Sequence, residues 1–195
     1  MTAHAHEDVP VAARVRRLEE RAIAAGLASD AELDAVLAGF YASASPSNGA
    51  RIVARAWADD GFRERLLADG SAAAADLGFG AQVGTYQLRV VANTPERHNM
   101  IVCTLCSCYP VSLLGPSPSW YKSLAYRARA VREPREVLAG FGLVLPAGTD
   151  IAVWDSTAET RYLVLPRRPD GTSGRDEDEL AALVTRDGLI GTAAV

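Results

Sequence analysis

Apolar residues at helical spacing dominate the first 78 residues of the chain. One such run begins at residue 11 and is followed by Gly26, a residue type that commonly ends a helix. Ser29 and Glu32 form a capping-box pattern at the start of a second run, which the segment 43–49 ends. Helical spacing resumes after residue 49, with breaks near Asp59 and Gly70. The N-terminal region is therefore predicted to be mostly helical.

The period changes after Gly80, where apolar and polar residues begin to alternate. Tyr86, Leu88 and Val90 alternate with polar positions, which predicts a strand. The same reasoning predicts three more strands, two further helices, a polar loop and a brief final helix. These are strands at 99–103, 150–156 and 160–166, helices at 117–130 and 133–142, a loop at 167–179 and a helix at 180–186.

This order of elements predicts an α+β fold, with a helical N-terminal arm followed by a layered α/β domain. We place the arm at residues 1–45 and the second domain at 46–195. A length of 195 residues suits one large domain with such an appendage.

Composition and charge narrow the classes of function. The net charge of -4 gives no electrostatic reason to expect a nucleic-acid partner. The start of the sequence has no apolar core typical of a signal peptide, and no run of about 18 apolar residues predicts a membrane span. We therefore expect a cytoplasmic protein that binds neither nucleic acid nor membrane.

All three cysteines lie in the segment VCTLCSCYP, residues 102–110. An odd number of cysteines in a chain interpreted as cytoplasmic disfavours a disulfide framework. Structural zinc and iron–sulfur clusters usually need four ligands, and only His98 lies nearby in sequence. We interpret His98 as a solvent-facing residue at a strand start. A structural zinc site and a CxxC redox site remain alternatives at this point.

The spacing also allows a planar metal site with two sulfurs and two backbone nitrogens. The sulfurs of Cys106 and Cys108 and the amide nitrogens of Ser107 and Cys108 close one six-membered and two five-membered chelate rings, which are unstrained. Cys103 can then supply an axial sulfur, which leaves one octahedral position open. Such strong-field donors suit trivalent cobalt or iron, and a trivalent Lewis acid can bind a nitrile or acidify water.

The chain resembles the α subunit of nitrile hydratase, in its cobalt form. The resemblance rests on VCTLCSC, in which Thr104 matches the cobalt form where the iron form has serine. It extends over nearly the whole chain. The further matching segments are NGARIVARAWADDGFRERLLAD (48–69), WYKS (120–123), YRARAVREPREVLAGFG (126–142) and WDSTAETRYLVLP (154–166).

The resemblance implies ligands and cofactor. Cys103, Cys106 and Cys108 match the metal thiolates, and the amide nitrogens of Ser107 and Cys108 match the backbone ligands. The implied cofactor is non-corrin cobalt(III), with iron(III) as the alternative. In the family the cysteines that match Cys106 and Cys108 are oxidised to sulfinic and sulfenic acid. The sulfenate oxygen of Cys108 and an activated water are both candidate nucleophiles.

Residues outside the cysteine loop also match family positions. Asp155, Glu159 and Arg161 match a cluster that supports the metal loop, where Arg161 would hold that loop or the subunit interface. For an isolated pattern of this kind, the ordinary interpretation is a surface ion pair. Gln82 is a catalytic candidate, because the family places a glutamine just before a glycine. Here GAQVGTY is one residue longer, so Val83 is the alternative occupant of that position.

Two departures from the family pattern concern the substrate pocket. Val111 stands where family members commonly carry tryptophan, and GPSP (115–118) replaces their GLPP. A smaller side chain near the metal enlarges the substrate space. We therefore expect Val111 to favour a bulky or heteroaromatic nitrile, of the kind that the toyocamycin nitrile hydratase accepts.

The resemblance thus implies the catalytic α subunit of a cobalt nitrile hydratase, a lyase that hydrates a small-molecule nitrile to the amide. Its implied partners are one or more β-type subunits, which supply arginines to the oxidised sulfurs, and an activator protein for metal insertion. The resemblance also implies that the arm, residues 1–45, packs on the β-type partner and that residues 46–195 form the catalytic domain with its metal-binding cysteine loop. Two alternatives stay open. One is the metal-bearing subunit of thiocyanate hydrolase, and the other is a non-catalytic metal- or redox-binding module.

Overall fold

The computed structural model describes residues 10–80 and 86–195, and it has the α+β fold that the sequence predicts. The chain separates into two compact units, one within residues 1–42 and one formed by residues 43–195. The helices are α1 (Val11–Ala24), α2 (Asp30–Ser43), α3 (Pro46–Ala58), α4 (Asp60–Ala68), α5 (Gly70–Asp76), α6 (Val111–Leu114), α7 (Leu124–Arg132), α8 (Pro134–Gly140), α9 (Glu177–Ala181) and α10 (Arg186–Ile190). The strands are β1 (Gln87–Ala92), β2 (Arg97–Val102), β3 (Asp150–Asp155) and β4 (Thr160–Leu165).

The first unit contains the two predicted N-terminal helices. Gly26 adopts a φ of +66° just after α1, as expected of a residue that ends a helix. At the start of α2, the Glu32 carboxylate accepts from the Ser29 amide at 2.8 Å, and the Glu32 amide donates to the Ser29 hydroxyl at 3.3 Å. The predicted capping box is therefore confirmed. No residue of α1 or α2 is buried.

Three consecutive helices, α3 to α5, follow in the second unit. The two breaks predicted from the sequence are N-caps, because Asp59 accepts from the Phe62 amide at 2.9 Å and Asp69 accepts from the Ala72 amide at 3.0 Å. Helix α3 begins at Pro46, inside the segment predicted to end the second helix. The fixed φ of proline suits the first turn of a helix, which explains this early start.

The four predicted strands are present and form two separate parallel pairs. β1 pairs with β4, and β2 pairs with β3. In the second pair the last partners are Val102 and Asp155. The carboxyl ends of parallel strands lie at the same edge, so the chain leaves β2 and β3 side by side. This edge is where the cysteine loop begins.

Two helix predictions in the second unit need correction. The single helix predicted over 117–130 is interrupted: a 3₁₀ turn at Ser119–Lys122 ends at Ser123, whose hydroxyl accepts from the Tyr126 amide at 3.1 Å and caps α7. The predicted helix at 180–186 is also wrong in its bounds. Helix α9 begins earlier, where Asp176 and Glu179 form a capping box, and Thr185 caps a separate helix, α10.

The core of the second unit lies between the strands and the helices α3 to α10. Its largest fully buried side chains include Tyr121, Phe62, Ile52, Leu66 and Met100. Packing of this kind fixes the strand ends from which the cysteine loop emerges. Among the described residues, no helix combines the length and the apolar character needed to cross a membrane.

Candidate metal centre

The three cysteines lie on the loop that joins β2 to α6. Cys103 follows directly on Val102, the last residue of β2, and the loop closes at Pro110 before α6 begins. Cys103 is buried, Cys106 is exposed and Cys108 is half-buried. The loop therefore has one sulfur in the core and two toward the surface.

The three sulfur atoms converge on one another. The Sγ atoms of Cys103 and Cys106 lie 3.6 Å apart, and those of Cys106 and Cys108 lie 3.3 Å apart. All three lie within 4.8 Å of one another. The Cys106 amide also donates to the Cys103 sulfur at 3.3 Å. Three convergent thiols with two intervening amide nitrogens form a donor set that fits a thiophilic or trivalent metal ion.

A carboxylate from β3 holds the start of the loop. Asp155 accepts from the Thr104 amide at 2.9 Å through one oxygen and from the Thr104 hydroxyl at 2.5 Å through the other. Both bonds follow from the register, because Asp155 faces Val102 at the ends of β2 and β3. The family resemblance placed Asp155, Glu159 and Arg161 around the loop. Among the described contacts of these three, it is Asp155 that bonds directly to a loop residue.

Arg127, in α7, bonds to the same part of the loop. Its Nη2 donates to the Thr104 carbonyl oxygen at 2.6 Å. Two tyrosines also bond to the backbone near the cysteines: the Tyr126 hydroxyl donates to the Ile101 carbonyl at 2.7 Å, and the Tyr121 hydroxyl donates to the Cys108 carbonyl at 3.0 Å. Sequence reasoning missed all three residues as loop supports, although they lie in segments quoted for the family resemblance.

The thiols differ in their tendency to ionise. The Cys108 thiol, the Ser107 amide and the Cys103 thiol, in that order, donate to the Cys106 sulfur and lower the pKa of Cys106 to about 7. Burial, followed by the hydrogen bond with Cys106, raises the pKa of Cys108. The pair therefore ionises once readily and a second time reluctantly. A metal ion, which binds thiolates, replaces these protons.

Arg161 lies close enough to Cys108 for its charge to oppose the rise in the Cys108 pKa. Its guanidinium carbon lies 5.3 Å from the centre of the Tyr86 ring. The Nε and Nη1 atoms of Arg161 are buried and have no hydrogen-bond partner among residues 10–80 and 86–195. Within these ranges, Arg161 thus has two donors beside the loop that bond to no described residue.

The other predicted site residues have different surroundings. Glu159 is exposed; its carboxylate accepts from the Thr157 hydroxyl at 3.0 Å, and its carbonyl accepts from the Gln87 amide at 2.7 Å. Val111 is half-buried at the start of α6, three residues after Cys108. The candidate Gln82 and its alternative Val83 lie outside the described residues.

The interpretation of His98 as solvent-facing is wrong. His98 is 7% exposed, and its Nε2 lies 2.7 Å from the Gly191 carbonyl oxygen. Burial lowers the pKa of His98, while the bond to Gly191 opposes this effect. The residue lies inside the core because it is on the face of β2 that packs against the C-terminal segment. The hydrogen bond between His98 and Gly191 links β2 to the turn after α10.

By fold and site, the chain is an α+β protein whose three-cysteine loop is suited to a metal ion. The family model of the nitrile hydratase α chain matches residues 9–193. The low-molecular-weight cobalt-containing nitrile hydratase α subunit of Rhodococcus rhodochrous is 49% identical over 94% of this chain and 88% of its own length. The thiocyanate hydrolase γ subunit of Thiobacillus thioparus is 46% identical over 90% of this chain and 76% of its own length.

A solved structure of a nitrile hydratase is also similar to this chain. A double mutant of the Fe-type nitrile hydratase from Comamonas testosteroni Ni1 has a TM-score of 0.89 to this chain at 44% identity, and the match covers 96% of this chain and 91% of that one. The chain belongs to the nitrile hydratase α-chain family.

Proposed function

We propose that this chain is the metal-bearing catalytic subunit of a cobalt nitrile hydratase, which adds water to R–C≡N and forms R–CONH₂. The observation that carries the proposal is the convergence of the Cys103, Cys106 and Cys108 sulfurs within 4.8 Å of one another. Membership of the nitrile hydratase α-chain family connects this donor set with hydration chemistry. The three thiols are all free in this structure.

In this proposal the sulfurs of Cys103, Cys106 and Cys108 and the backbone nitrogens of Ser107 and Cys108 hold cobalt(III). Bound there, cobalt would supply a Lewis acid that polarises a nitrile or acidifies water. Cobalt is favoured over iron because several similar relatives are cobalt-containing enzymes. Thr104 supports the same choice, although an Fe-type enzyme is among the similar structures.

The side chains around the loop have supporting roles in the proposal. Asp155 holds the Thr104 end of the loop through two hydrogen bonds. Arg161, whose Nε and Nη1 have no partner in the described part of the chain, stabilises negative charge at Cys108 and at an oxygen added to that sulfur. Cys106 and Cys108 are the proposed sites of oxidation, and the exposure of Cys106 gives an oxidant access. Glu159 orders the turn between β3 and β4 through Thr157.

We further propose that the N-terminal arm, residues 1–45, packs on a β-type subunit, while residues 46–195 form the catalytic domain. The helices α1 and α2 bury no residue of their own, although they carry large apolar side chains. Exposed apolar surface of this extent is typical of an interface. The exposed apolar residues of these helices are Val11, Val15, Leu18, Val36, Leu37, Phe40 and Tyr41.

A second candidate function is hydrolysis of thiocyanate. It is favoured by the 46% identity to the thiocyanate hydrolase γ subunit and by a solved thiocyanate hydrolase chain with a TM-score of 0.85. The substrates of the two reactions share a C≡N group. Assays of the assembled enzyme with thiocyanate and with nitriles distinguish the two candidates, because each predicts turnover of one substrate class over the other.

Metal analysis and intact-mass measurement test the proposal directly. The chain is co-expressed with its candidate β-type and activator partners in cobalt-supplemented medium. We expect about one cobalt per chain and a mass increase of roughly 48 Da, from one sulfinic and one sulfenic acid. Zinc with unmodified thiols, or no metal with a Cys103–Cys106 disulfide, would contradict the proposal. Hydration of a nitrile by the same preparation completes the test.

The substrate preference gives a separate prediction at Val111. We expect Val111→Trp to reduce kcat/KM for bulky aromatic nitriles by at least about tenfold and to change it less than about threefold for a small aliphatic nitrile, because an indole fills space beside the cysteine loop. Steady-state kinetics with a matched series of nitriles measures the difference. Equal losses for both classes would show that Val111 does not line the substrate pocket.

A further inference from the structure

Two tyrosine hydroxyls hold the two ends of the cysteine loop. Tyr126 donates to the carbonyl of Ile101, two residues before Cys103, at 2.7 Å. Tyr121 donates to the carbonyl of Cys108, the last cysteine, at 3.0 Å. The two hydrogen bonds therefore enclose the whole segment that carries the three sulfurs.

The rings of these tyrosines are fixed by packing. Tyr121 is 0% exposed and Tyr126 is 6% exposed, and their ring centres lie 5.7 Å apart. Trp120 packs edge-on against Tyr126 at 4.8 Å, and Tyr109 packs edge-on against Tyr121 at 5.0 Å. Aromatic rings held in this way have little rotational freedom. Each hydroxyl consequently holds its carbonyl acceptor at a defined place.

The acceptors control the backbone on either side of the sulfurs. The carbonyl of Cys108 belongs to the residue that carries the last sulfur, so fixing this oxygen restrains the rotation about the Cα–C bond of Cys108. The carbonyl of Ile101 lies near the end of β2, directly before Val102 and Cys103. The sulfurs lie 3.3 and 3.6 Å apart in this arrangement.

From these contacts we propose that Tyr121 and Tyr126 are positioning residues that arrange the three thiols for metal binding before the metal arrives. This inference rests on the proposed role of the thiols as metal ligands. A preorganised site loses less conformational entropy on binding, which increases its affinity for the ion. The effect of each hydroxyl is therefore measurable as metal affinity, independently of turnover.

The test compares the full-length chain with Tyr121→Phe and Tyr109→Phe. Tyr109 is the matched control: it belongs to the same aromatic cluster and is 4% exposed, but within the described part of the chain its hydroxyl has no hydrogen-bond partner. Each protein is titrated with Co²⁺ alone under reducing, anaerobic conditions, and thiolate-to-cobalt absorption reports binding. Thermal unfolding of the same samples gives their stability.

We expect Tyr121→Phe to weaken Co²⁺ binding about tenfold, because the Cys108 carbonyl loses its donor and the loop loses its fixed arrangement. Tyr109→Phe is expected to bind Co²⁺ within about twofold of the unmodified chain. Unchanged affinity in Tyr121→Phe, even with a lower Tm, would overturn the inference, since the hydroxyl would then serve stability alone.

Tyr126→Phe provides a second variant in case Tyr121→Phe does not fold. It is expected to weaken Co²⁺ binding in the same direction, and unchanged affinity would again contradict the proposed role. Failure of the unmodified chain to bind Co²⁺ through its thiols has a different meaning, since it would overturn the proposed function and this inference together. Normal binding by the unmodified chain and by both tyrosine variants would overturn this inference alone.

Discussion

Replacing Cys106 by serine is expected to give a folded chain that holds no cobalt and has at least about 10³-fold lower nitrile hydration activity. The side chain is exposed, so its substitution removes little packing. A hydroxyl does not supply the anionic sulfur donor that the metal site needs near neutral pH. Cobalt content, far-UV circular dichroism and hydration rate of the assembled enzyme measure these three expectations.

The neighbouring residue provides a matched control. Ser107 is also exposed, and the proposed metal site uses its backbone nitrogen but not its side chain. Ser107→Ala is therefore expected to keep about one cobalt per chain, because the amide nitrogen remains available. Cobalt retained in Cys106→Ser, or lost in Ser107→Ala, would contradict the proposed ligand set.

The largest effect on stability is expected from Gly191→Ala. Gly191 ends α10 with a φ of +86°, a conformation that alanine adopts only with strain. A Cβ at this position would overlap the carbonyl oxygen of Asn99 and lie 2.8 Å from the Cα of Met100, both in β2. We expect the free energy of unfolding to fall by about 4 kcal/mol and the Tm by roughly 10 °C.

The variant Gly142→Ala separates the two causes of this loss, which are the strained positive φ and the overlap of the Cβ with β2. Gly142 has the same φ of +86°, but nothing lies within 4 Å of a Cβ added there. It should therefore show the conformational cost alone, about 1 kcal/mol. Calorimetry of both variants measures the difference. Similar losses at the two positions would mean that β2 moves away from residue 191 at little cost.

Local chemistry made the helices and strands predictable from the sequence. The cap at Ser29 and Glu32 and the breaks near Asp59 and Gly70 depend on side chains bonding to amides two or three residues away. The interruption at Ser123 was missed, because an apolar helical pattern continues through it. The hydroxyl of Ser123 caps α7 there. The spacing of apolar residues does not reveal a side-chain cap of this kind.

Strand pairing was not predictable by the same means. A short turn joins β3 to β4, yet each strand pairs with a strand that precedes it by more than fifty residues. The burial of His98 depends on the same long-range packing, since its partner Gly191 lies in the C-terminal segment. Interactions between residues so distant in sequence leave no periodic signal in either segment.

The candidate metal centre was only partly predictable from the sequence. The three cysteines and their spacing were visible directly, and chelate-ring size connected them with amide nitrogens. The family resemblance pointed to Asp155, whose bonds to Thr104 the structure shows. The loop contacts of Tyr121, Tyr126 and Arg127 have no sequence signal of their own, because each depends on which backbone carbonyl the folded chain brings within reach.

The pairing of β2 with β3 also sets when the loop can take its final form during synthesis. Thr104 meets Asp155 only after the intervening fifty residues have left the ribosome and that long loop has closed. Contacts of such sequence separation form late in folding. A nascent chain that ends before β3 has all three cysteines but lacks the carboxylate that anchors their loop. The anchored form of the loop therefore requires that β3 has been synthesised and has paired with β2.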